Sequence, residues 1–550
     1  MKNMIKIAWL LLTTIILAYG CYDDKGNYNY TDINEIGIKT DKTLNVRLPK
    51  GNDSTLVRII PELSQTLSDN ESNLSFLWTK VANIMEKPVE YGTQKICSLY
   101  VKAGTKDFKI RLTVTDASTT VKWYKEIALK MIPPFSNTYF VLQEIGGNSV
   151  LGAIDGEGDA GMVIPNVYKE ETGKELPIAG KPIALVGNEK YGSACPLPES
   201  LYYLYGCNKK QRTIAVVTGQ DVMVLNAENF KNIHTDNLND MMRCIHGFTP
   251  APEKLLSVED LGEVLINDGK LYWANMDGYS LFRTVTMANA ETFFAQDVGS
   301  LGGKGYIVYD GSKQRFLVCL QKSDFYYETG HNKPIFNGSS APADNNGAAV
   351  EAIGKTDVDN KFNPDRIEGI NKILDIISGG PKFTHTYACA LGSDNMIHIY
   401  RFNANGWPAS DAIARCDGYF RFTLPEGIRN GKELSFATSS SYDGILFVAG
   451  GNKIYKLDTK RTHPKLSVIY EYKNTAAKIT RLKFKYTDSY YDTSYKYQLA
   501  AAIDNGSNNS IVEMLLNSAG DASRDKQSIH EYKGFGKIID FAYSFKFKYY

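Results

Sequence analysis

Aromatic residues placed beside polar ones are the part of this sequence best suited to chemistry, and they occur in three stretches. One opens a long polar segment that reaches about residue 364, one follows an Asn-rich turn, and one lies in a Ser/Thr/Asp-rich hairpin. Flat aromatic faces next to hydrogen-bonding side chains suit a sugar or a docked protein. A Tyr-rich β protein also exposes such residues without any ligand, so both interpretations stay open. The candidate ligand contacts are Trp407, Tyr326, Tyr327, Tyr490, Tyr491 and Tyr495.

Catalytic and metal-binding motifs are missing from the sequence. It contains no H-E-x-x-H, no G-x-S-x-G and no Walker loop. The acidic, Gly-rich stretch 155–161 and the pair Asp357 and Asp359 offer carboxylates of the kind that Ca²⁺ takes. Neither has EF-hand spacing, so we interpret both as polar turns. We therefore expect no enzyme activity, no cofactor and no bound metal.

Cys21 is the candidate for a covalent modification. A basic start and an apolar run at 7–19 precede Gly20 and Cys21. A small residue directly before a cysteine, at the end of such a run, is what a lipoprotein signal peptidase cuts. A membrane span needs ~20 apolar residues, and this run is shorter. We expect residues 1–20 to be removed, Cys21 to be lipidated and residues 21–30 to form a tether; an ordinary secretory signal is the alternative.

Composition limits the partners and favours β structure. The 62 Lys and Arg residues balance 61 Asp and Glu, so no basic field attracts nucleic acid. Tyr, Phe and Gly are abundant, at 35, 24 and 46 residues, which favours strands and tight turns. The cysteines other than Cys21 are scattered without a C-x-x-C pair, so we expect buried thiols rather than a disulfide framework or a zinc site.

Two all-β domains are expected within these 550 residues. Residues 31–134 show six or seven short alternating runs at the spacing of a β-sandwich, with Trp78 as the natural core aromatic. Pro133 and Pro134 end this unit. Residues 135–550 instead repeat hairpin patterns around Asp-Gly and Asn-Gly turns, which tolerate the positive φ of tight turns.

A β-propeller is the most economical way to close so many hairpins. Six to eight blades fit the length, and seven are favoured. The last strand, at Ile538–Tyr543, is expected to close the ring on an early strand such as Tyr139–Ile145. Helical patterns are sparse, and Ile367–Ile377 is the best short candidate for a helix.

The first residues of the expected mature chain resemble a known family. Residues 21–28, Cys-Tyr-Asp-Asp-Lys-Gly-Asn-Tyr, resemble the mature N-terminus of the PKD-like lipoproteins of Bacteroidota. Leu112–Asp116 resembles the strand signature of PKD-type sandwiches, and Tyr139–Leu142 is similar to the junction in that group. The resemblance implies an outer-membrane lipoprotein that faces the cell exterior. It also implies a locus encoding a TonB-dependent transporter and a SusD-like lipoprotein, as in starch utilisation, and it supplies no binding residues.

These observations predict a non-enzymatic accessory or ligand-binding subunit of a TonB-dependent uptake complex. Its ligand would be a glycan or a peptide, and its partners would be the transporter, the SusD-like lipoprotein and the membrane through the lipid. One alternative is a structural scaffold without a small ligand. A propeller-type glycan hydrolase or lyase is another, and it would require two carboxylates ~5–9.5 Å apart at the channel mouth.

Overall fold

The computed structural model divides the chain between Pro134 and Phe135 into two units. It describes residues 33–545 except 50–52, 69, 82–88, 192–209, 234–236, 243–244, 259–261, 276–281, 288, 302–304, 324–334, 337–348, 354–359, 380–384, 406–412, 426–427, 429–432, 443, 462–463, 486–496 and 524–527. Among the described residues, no helix is long and apolar enough to cross a bilayer.

The first unit is a β-sandwich. One sheet has the order β2-β9-β8-β5-β6, with β2 parallel to β9, and the pairs β1-β4 and β3-β7 complete the unit. The strands are β1 (Ile36–Lys39), β2 (Thr43–Arg47), β3 (Ser54–Ile59), β4 (Glu62–Gln65), β5 (Leu74–Lys80), β6 (Glu90–Gly92), β7 (Cys97–Lys102), β8 (Phe108–Asp116) and β9 (Lys122–Ile132).

Alternation of apolar and polar residues builds the sandwich core. Every second residue of β7 is buried, and its exposed residues face the other way, as the two-residue period of a strand requires. Trp78 is fully buried, as predicted, and its Nε1–H donates to the carbonyl of Gln94 at 3.0 Å. The indole therefore fills the core without leaving its polar atom unpaired.

The second unit begins with the sheets of blades 1 to 4. A short helix, α1 (Val167–Thr172), follows blade 1, and α2 (Leu238–Met241) follows blade 2. Blade 1 contains β10 (Asn137–Ile145), β11 (Asn148–Asp155) and β12 (Met162–Ile164); blade 2 contains β13 (Pro182–Tyr191), β14 (Lys210–Thr218) and β15 (Val222–Asn226); blade 3 contains β16 (Pro252–Val258), β17 (Gly262–Asn267), β18 (Lys270–Asn275) and β19 (Arg283–Thr284); blade 4 contains β20 (Ala295–Ser300), β21 (Gly305–Asp310), β22 (Arg315–Ser323), β23 (Ile335–Phe336) and β24 (Glu351–Ala352).

Three more sheets and a final strand complete the ring. Within the described ranges, seven successive sheets form a propeller, and the first strand of each one from blade 2 onwards contacts its counterpart in the next blade. Blade 5 contains β25 (Ile370–Ser378), β26 (Thr386–Gly392), β27 (Met396–Asn405) and β28 (Ile413–Thr423); blade 6 contains β29 (Ser435–Ala437), β30 (Ile445–Gly450), β31 (Lys453–Asp458) and β32 (Leu466–Glu471); blade 7 contains β33 (Lys478–Phe484), β34 (Gln498–Asp504), β35 (Asn509–Leu515) and β36 (Ile529–Phe535); the final strand is β37 (Lys537–Phe545).

The ring closes as the sequence predicted. Strand β37 pairs antiparallel with β10, with Tyr139 opposite Tyr543, so blade 1 is built from both ends of the unit. The predicted Asp-Gly turn between β17 and β18 also forms, with Asp268 at φ 50° and Gly269 at φ 67°. Both angles are positive, as a two-residue hairpin turn requires.

Apolar side chains pack between neighbouring blades. One cluster joins Val264 and Trp273 of blade 3 to Val308 and Leu317 of blade 4, all buried. The indole of Trp273 stacks on Tyr306 with ring centroids 5.6 Å apart. Because each blade buries its faces against two neighbours, no blade is an independent core.

The helix predicted at Ile367–Ile377 is wrong, because most of this stretch forms β25. Its buried residues are Ile370, Ile373 and Ile376, at a spacing of three. Two β-bulges, each inserting one residue opposite β26, convert the normal period of two into three. A spacing of three apolar residues imitates one face of a helix, which explains the misleading pattern.

Candidate functional site

The residues that the sequence predicted for ligand contact cannot be placed in this structure. Trp407, both tyrosine clusters (Tyr326 and Tyr327; Tyr490, Tyr491 and Tyr495) and the lipidation site Cys21 all lie outside the described residues. Asp357 and Asp359 lie outside them too. These assignments therefore stay predictions.

The acidic loop 155–161 is described, and protein groups bind its carboxylates. Asp155 accepts hydrogen bonds from the Phe135 N–H at 3.0 Å and the Thr138 hydroxyl at 2.9 Å. Glu157 accepts from the Tyr543 hydroxyl at 2.7 Å. Across the described residues, no group of three or more His, Cys, Asp or Glu side chains is arranged to hold a metal ion. Asp155 and Glu157 are therefore held by protein groups, whereas the Asp159 side chain is fully exposed.

A cavity of the described chain occupies the central channel of the propeller. It measures ≈ 720 Å³, within the roughly 300–1,000 Å³ of small-molecule sites. One edge strand of every blade lines it: β37, β13, β16, β20, β25, β29 and β33. In the described sheets, each of these inner strands pairs with a neighbouring strand on one edge only. Its other edge borders the channel.

A bulge recurs in most inner strands and fixes the position of a channel residue. A register shift interrupts the pairing of β13, β16, β20, β25, β33 and β37 with their neighbours. A bulge bends its strand and redirects the next side chain. The residues directly after these bulges all line the cavity: Ala184, Lys254, Asp297, Lys372 and Asp375 (after the two bulges of β25), Arg481 and Asp540.

Three of these residues form a charged triad across blades 3, 4 and 5. The Lys254 Nζ lies 2.7 Å from Asp297 Oδ1 and 2.9 Å from Asp375 Oδ1. Since both oxygens bind the same nitrogen, they lie less than about 6 Å apart. The triad carries one positive and two negative charges when fully ionised.

Burial and charge act in opposite directions on the triad. Burial raises the pKa of Asp297, while the nearby Lys254 ammonium opposes the shift. Burial alone would lower the pKa of Lys254, but the attraction of Asp297 and Asp375 outweighs it and raises that pKa. Lys254 is therefore charged throughout the physiological range, and it holds the two carboxylates in one place.

A second ion pair lies on the opposite wall, between blades 7 and 1. Lys483 Nζ is 2.7 Å from Asp540 Oδ1, and the other carboxylate oxygen accepts the Leu185 N–H of blade 2 at 2.9 Å. The cavity lining contains five basic and four acidic side chains and is therefore nearly neutral. They are Arg212, Lys254, Lys372, Arg481, Lys483, Glu253, Asp297, Asp375 and Asp540.

Hydroxyl groups line the channel three residues further along the same strands. Ser257, Ser300 and Ser378 follow Lys254, Asp297 and Asp375, and they also border the cavity. The Ser300 hydroxyl is buried and has no hydrogen-bond partner among the described residues. On blades 7 and 1, the corresponding positions are the aromatic residues Phe484 and Tyr543.

Sequence reasoning missed this site because the pattern is short and spread over many residues. Blades 3, 4 and 5 repeat a charged residue followed, at the third position after it, by serine: 254–257, 297–300 and 375–378. The repeat could have been found by aligning the first strand of each hairpin unit. No alternation of apolar residues marks it, because the bulge interrupts the period of two.

Comparison with known proteins identifies the first part of the chain. The profile of the PKD-like family matches residues 21–182, which span the sandwich and continue through β10, β11 and β12 of blade 1. No curated protein matches the chain. The family match covers less than half of the sequence and leaves most of the propeller outside it.

Solved propeller-like structures also match at low identity. A quinonprotein alcohol dehydrogenase-like protein of Bacteroides thetaiotaomicron is 12% identical, with 90% of this chain and 94% of that chain covered and a TM-score of 0.38. Apo AztD of Citrobacter koseri is 11% identical, with 86% and 97% covered and a TM-score of 0.35. PorZ, a surface component of the type-IX secretion system of Porphyromonas gingivalis, is 11% identical, with 70% and 38% covered and a TM-score of 0.34. The chain thus combines a PKD-like N-terminal region with an all-β propeller.

Proposed function

We propose that this chain is a lipid-anchored, non-enzymatic binding subunit of a TonB-dependent uptake complex at the outer surface of the outer membrane. The observation that carries the proposal is the signal pattern ending in Gly20-Cys21, combined with a PKD-like match that starts at the same cysteine. The anchor would hold the propeller at the membrane, and the channel would receive the ligand. The partners would be the transporter and its SusD-like lipoprotein.

The channel supports a binding role on chemical grounds. Its lining is nearly neutral and contains hydrogen-bond donors, acceptors and ring surfaces around a cavity of small-molecule size. Among its described lining residues there is no histidine and no cysteine. Such a lining favours recognition of a polar ligand over covalent chemistry.

Membrane extraction tests the proposal directly. A tagged chain is recovered from outer membranes in mild detergent, and its partners are identified by mass spectrometry. Stoichiometric recovery of a TonB-dependent transporter and a SusD-like lipoprotein is the expected result. The matched control is Cys21→Ala, which should abolish incorporation of labelled fatty acid and release the chain from the membrane. A lipid-free wild-type chain, recovered alone, contradicts the proposal.

One observation favours a glycan hydrolase as the second candidate. The Oδ1 atoms of Asp297 and Asp375 lie less than about 6 Å apart, a limit that includes the ~5–5.5 Å of retaining glycosidases, and burial raises the pKa of Asp297. However, hydrolysis needs two carboxyl groups with different roles, whereas here both carboxyl groups bind the same Lys254 ammonium, at 2.7 and 2.9 Å. Reducing-end assays on any glycan that binds distinguish the two: release of new reducing ends that is lost in Asp375→Asn supports the hydrolase, and an intact glycan supports the binding subunit.

A further inference from the structure

The channel wall of blades 3 to 5 has the composition of a ligand site. This wall, which we call the triad wall, consists of Lys254, Asp297 and Asp375 with Ser257, Ser300 and Ser378. Its residues carry one ammonium group, two carboxylates and three hydroxyls, and all of them border a single cavity. Each of its three strands contributes one charged residue and one serine at the same spacing, so the groups repeat around the channel.

An unpartnered buried hydroxyl is the specific sign of a missing ligand. The oxygen of Ser300 makes no hydrogen bond among the described residues, although the residue is only 5% exposed. Leaving such a group unpaired is unfavourable, and native structures rarely do so without a reason. The Ser300 carbonyl, by contrast, accepts the Thr386 hydroxyl at 2.7 Å, so the backbone position is fixed while the side chain is not used.

The charges of the wall point to a neutral ligand. Lys254 already neutralises one of the two carboxylates, and the whole lining is nearly balanced, so no strong field selects an anion or a cation. The two carboxylates retain lone pairs that can accept hydrogen bonds, and the serine hydroxyls can both donate and accept. Neighbouring hydroxyl groups on a ligand match this mixture of donors and acceptors.

Aromatic surface on the opposite wall completes the chemistry. Phe484 and Tyr543 border the cavity at the positions that correspond to the serines on blades 7 and 1, and each is partly buried against a cluster between blades. Tyr543 already binds the Lys485 ammonium over its ring, with the nitrogen 4.5 Å from the ring centroid, which fixes the ring in place. Sugar rings combine hydroxyl edges with apolar faces, and a channel with hydroxyls on one wall and rings on the other suits both.

We propose that the triad wall binds an uncharged, short carbohydrate inside the propeller channel. This inference rests on the proposed function and names its ligand class. The carboxylates of Asp297 and Asp375 would accept ligand hydroxyls, the three serines would bond to the neighbouring oxygens, and the opposite rings would cover an apolar face. A peptide is the competing ligand class, and the test includes it.

A binding screen with defined oligosaccharides tests the inference. The full chain in mild detergent is applied to an array of neutral gluco-, manno-, xylo-, galacto- and fructo-oligosaccharides of two to six units, with a random peptide array in parallel. Isothermal titration then measures each hit. At least one oligosaccharide is expected to bind, and the variant Ser257→Ala/Ser300→Ala/Ser378→Ala should bind it about 10-fold or more weakly, since each lost hydrogen bond costs roughly two- to tenfold.

Two controls separate loss of binding from loss of folding. The pair Ser467→Ala/Ser507→Ala changes exposed serines away from the channel and should leave the affinity unchanged. Ser300→Ala removes a buried unpaired hydroxyl, so it should keep or raise the melting temperature while it weakens binding. A serine that only supported the fold would lower the melting temperature instead.

Three results would overturn the inference. They are an array without a binding oligosaccharide, an oligosaccharide hit that the triple variant binds as well as the wild type does, and peptide binding that the triple variant loses. None of them affects recovery of the transporter complex, so the uptake proposal can stand when the carbohydrate inference fails. Conversely, carbohydrate binding by a chain that is recovered without partners would support the carbohydrate inference and contradict the uptake proposal.

Discussion

Removing the buried lysine at the closure of the propeller should destabilise the second unit strongly. Lys485 is 1% exposed, and its Nζ lies 2.9 Å from Glu513 Oε1 and 3.0 Å from Glu157 Oε1. Lys485 and Glu513 belong to blade 7, whereas Glu157 follows β11 of blade 1. The lysine therefore ties the last full blade to the first.

Three tyrosine hydroxyls complete this closure cluster. Tyr139 donates to Glu513 at 3.0 Å, and Tyr532 donates to its other oxygen at 3.4 Å. Tyr543 donates to Glu157 at 2.7 Å. Burial is the largest of the effects that raise the pKa of Tyr139, so its proton is held and it continues to donate. The tyrosine hydroxyls donate hydrogen bonds to Glu513 and Glu157, but it is Lys485 that supplies a positive charge to both carboxylates.

The expected loss follows from the charge that the substitution leaves behind. In Lys485→Met, Glu513 stays 6% exposed without its cation, and removal of one partner from a buried pair costs about 3–5 kcal/mol. Glu157 is 36% exposed and can be hydrated, so it adds less. For a cooperative unit of this size, the entropy of unfolding is about 0.9 kcal/mol/K, which converts the loss to a decrease of about 3–6 °C in melting temperature.

Differential scanning calorimetry on the full chain measures this decrease in the transition of the second unit. Lys478→Met is the matched control, because Lys478 is 61% exposed and lies 3.5 Å from Glu433, and it should cost less than about 1 kcal/mol. The double variant Lys485→Met/Glu513→Gln should recover a large part of the loss, because no uncompensated buried charge remains on Glu513. Equal melting temperatures for Lys485→Met and Lys478→Met would refute the reasoning.

Three further predictions concern positions away from the closure cluster. Gly299→Ala should cost about 1–3 kcal/mol by thermal unfolding, because its Cβ would lie 2.3 Å from Ile376 Cγ2 across the two inner strands; an unchanged melting temperature would show that the strands can separate freely. Hydrogen bonds led by those from Ser118 lower the pKa of Asp116 to about 2 from 3.8, so the first unit should be fully stabilised above about pH 4 and lose stability as the pH falls through 2. Asp116→Asn should remove that acid dependence in circular-dichroism melts, and a persisting dependence would assign it to another group. Trp78→Ala should cost about 3–5 kcal/mol in urea unfolding of the first unit, since the indole is fully buried, and a cost below 1 kcal/mol would contradict the core assignment.

Much of the fold could be predicted because local patterns carry it. Asp268 and Gly269 adopt the positive φ angles that their residue types tolerate, and the closing pairing of Tyr139 with Tyr543 follows from two apolar runs at the ends of one unit. The region 370–378 could not be predicted, since two bulges give its buried residues a spacing of three. A bulge depends on how neighbouring strands pair, and the sequence of one strand does not show that.

The candidate site was harder to predict than the fold for a related reason. Aromatic clusters such as the one at Tyr490 are conspicuous in a sequence, so they attracted the prediction, and they lie outside the described residues. Lys254 and Asp375 are inconspicuous, and 121 positions separate them along the chain. The packing of blades 3, 4 and 5 around the channel brings them to one nitrogen–oxygen contact of 2.9 Å. A search for functional residues that are close together in the sequence therefore misses a site that a propeller assembles from distant strands.

The serine variants and the Lys485 variant test different properties, because the residues that stabilise the propeller lie apart from those that border the channel. Apolar clusters such as the one that joins Val264 to Val308 lie between blades, whereas Ser257 and Ser378 lie on strand edges that border the channel. Substitution of these serines leaves the packing between blades intact and should act on the ligand. Substitution of Lys485 removes a buried charge from the closure and should act on folding. If the triple serine variant lowered the melting temperature as much as Lys485→Met does, the channel wall would be part of the folding core, and its unpaired hydroxyl would need a structural explanation instead of a ligand.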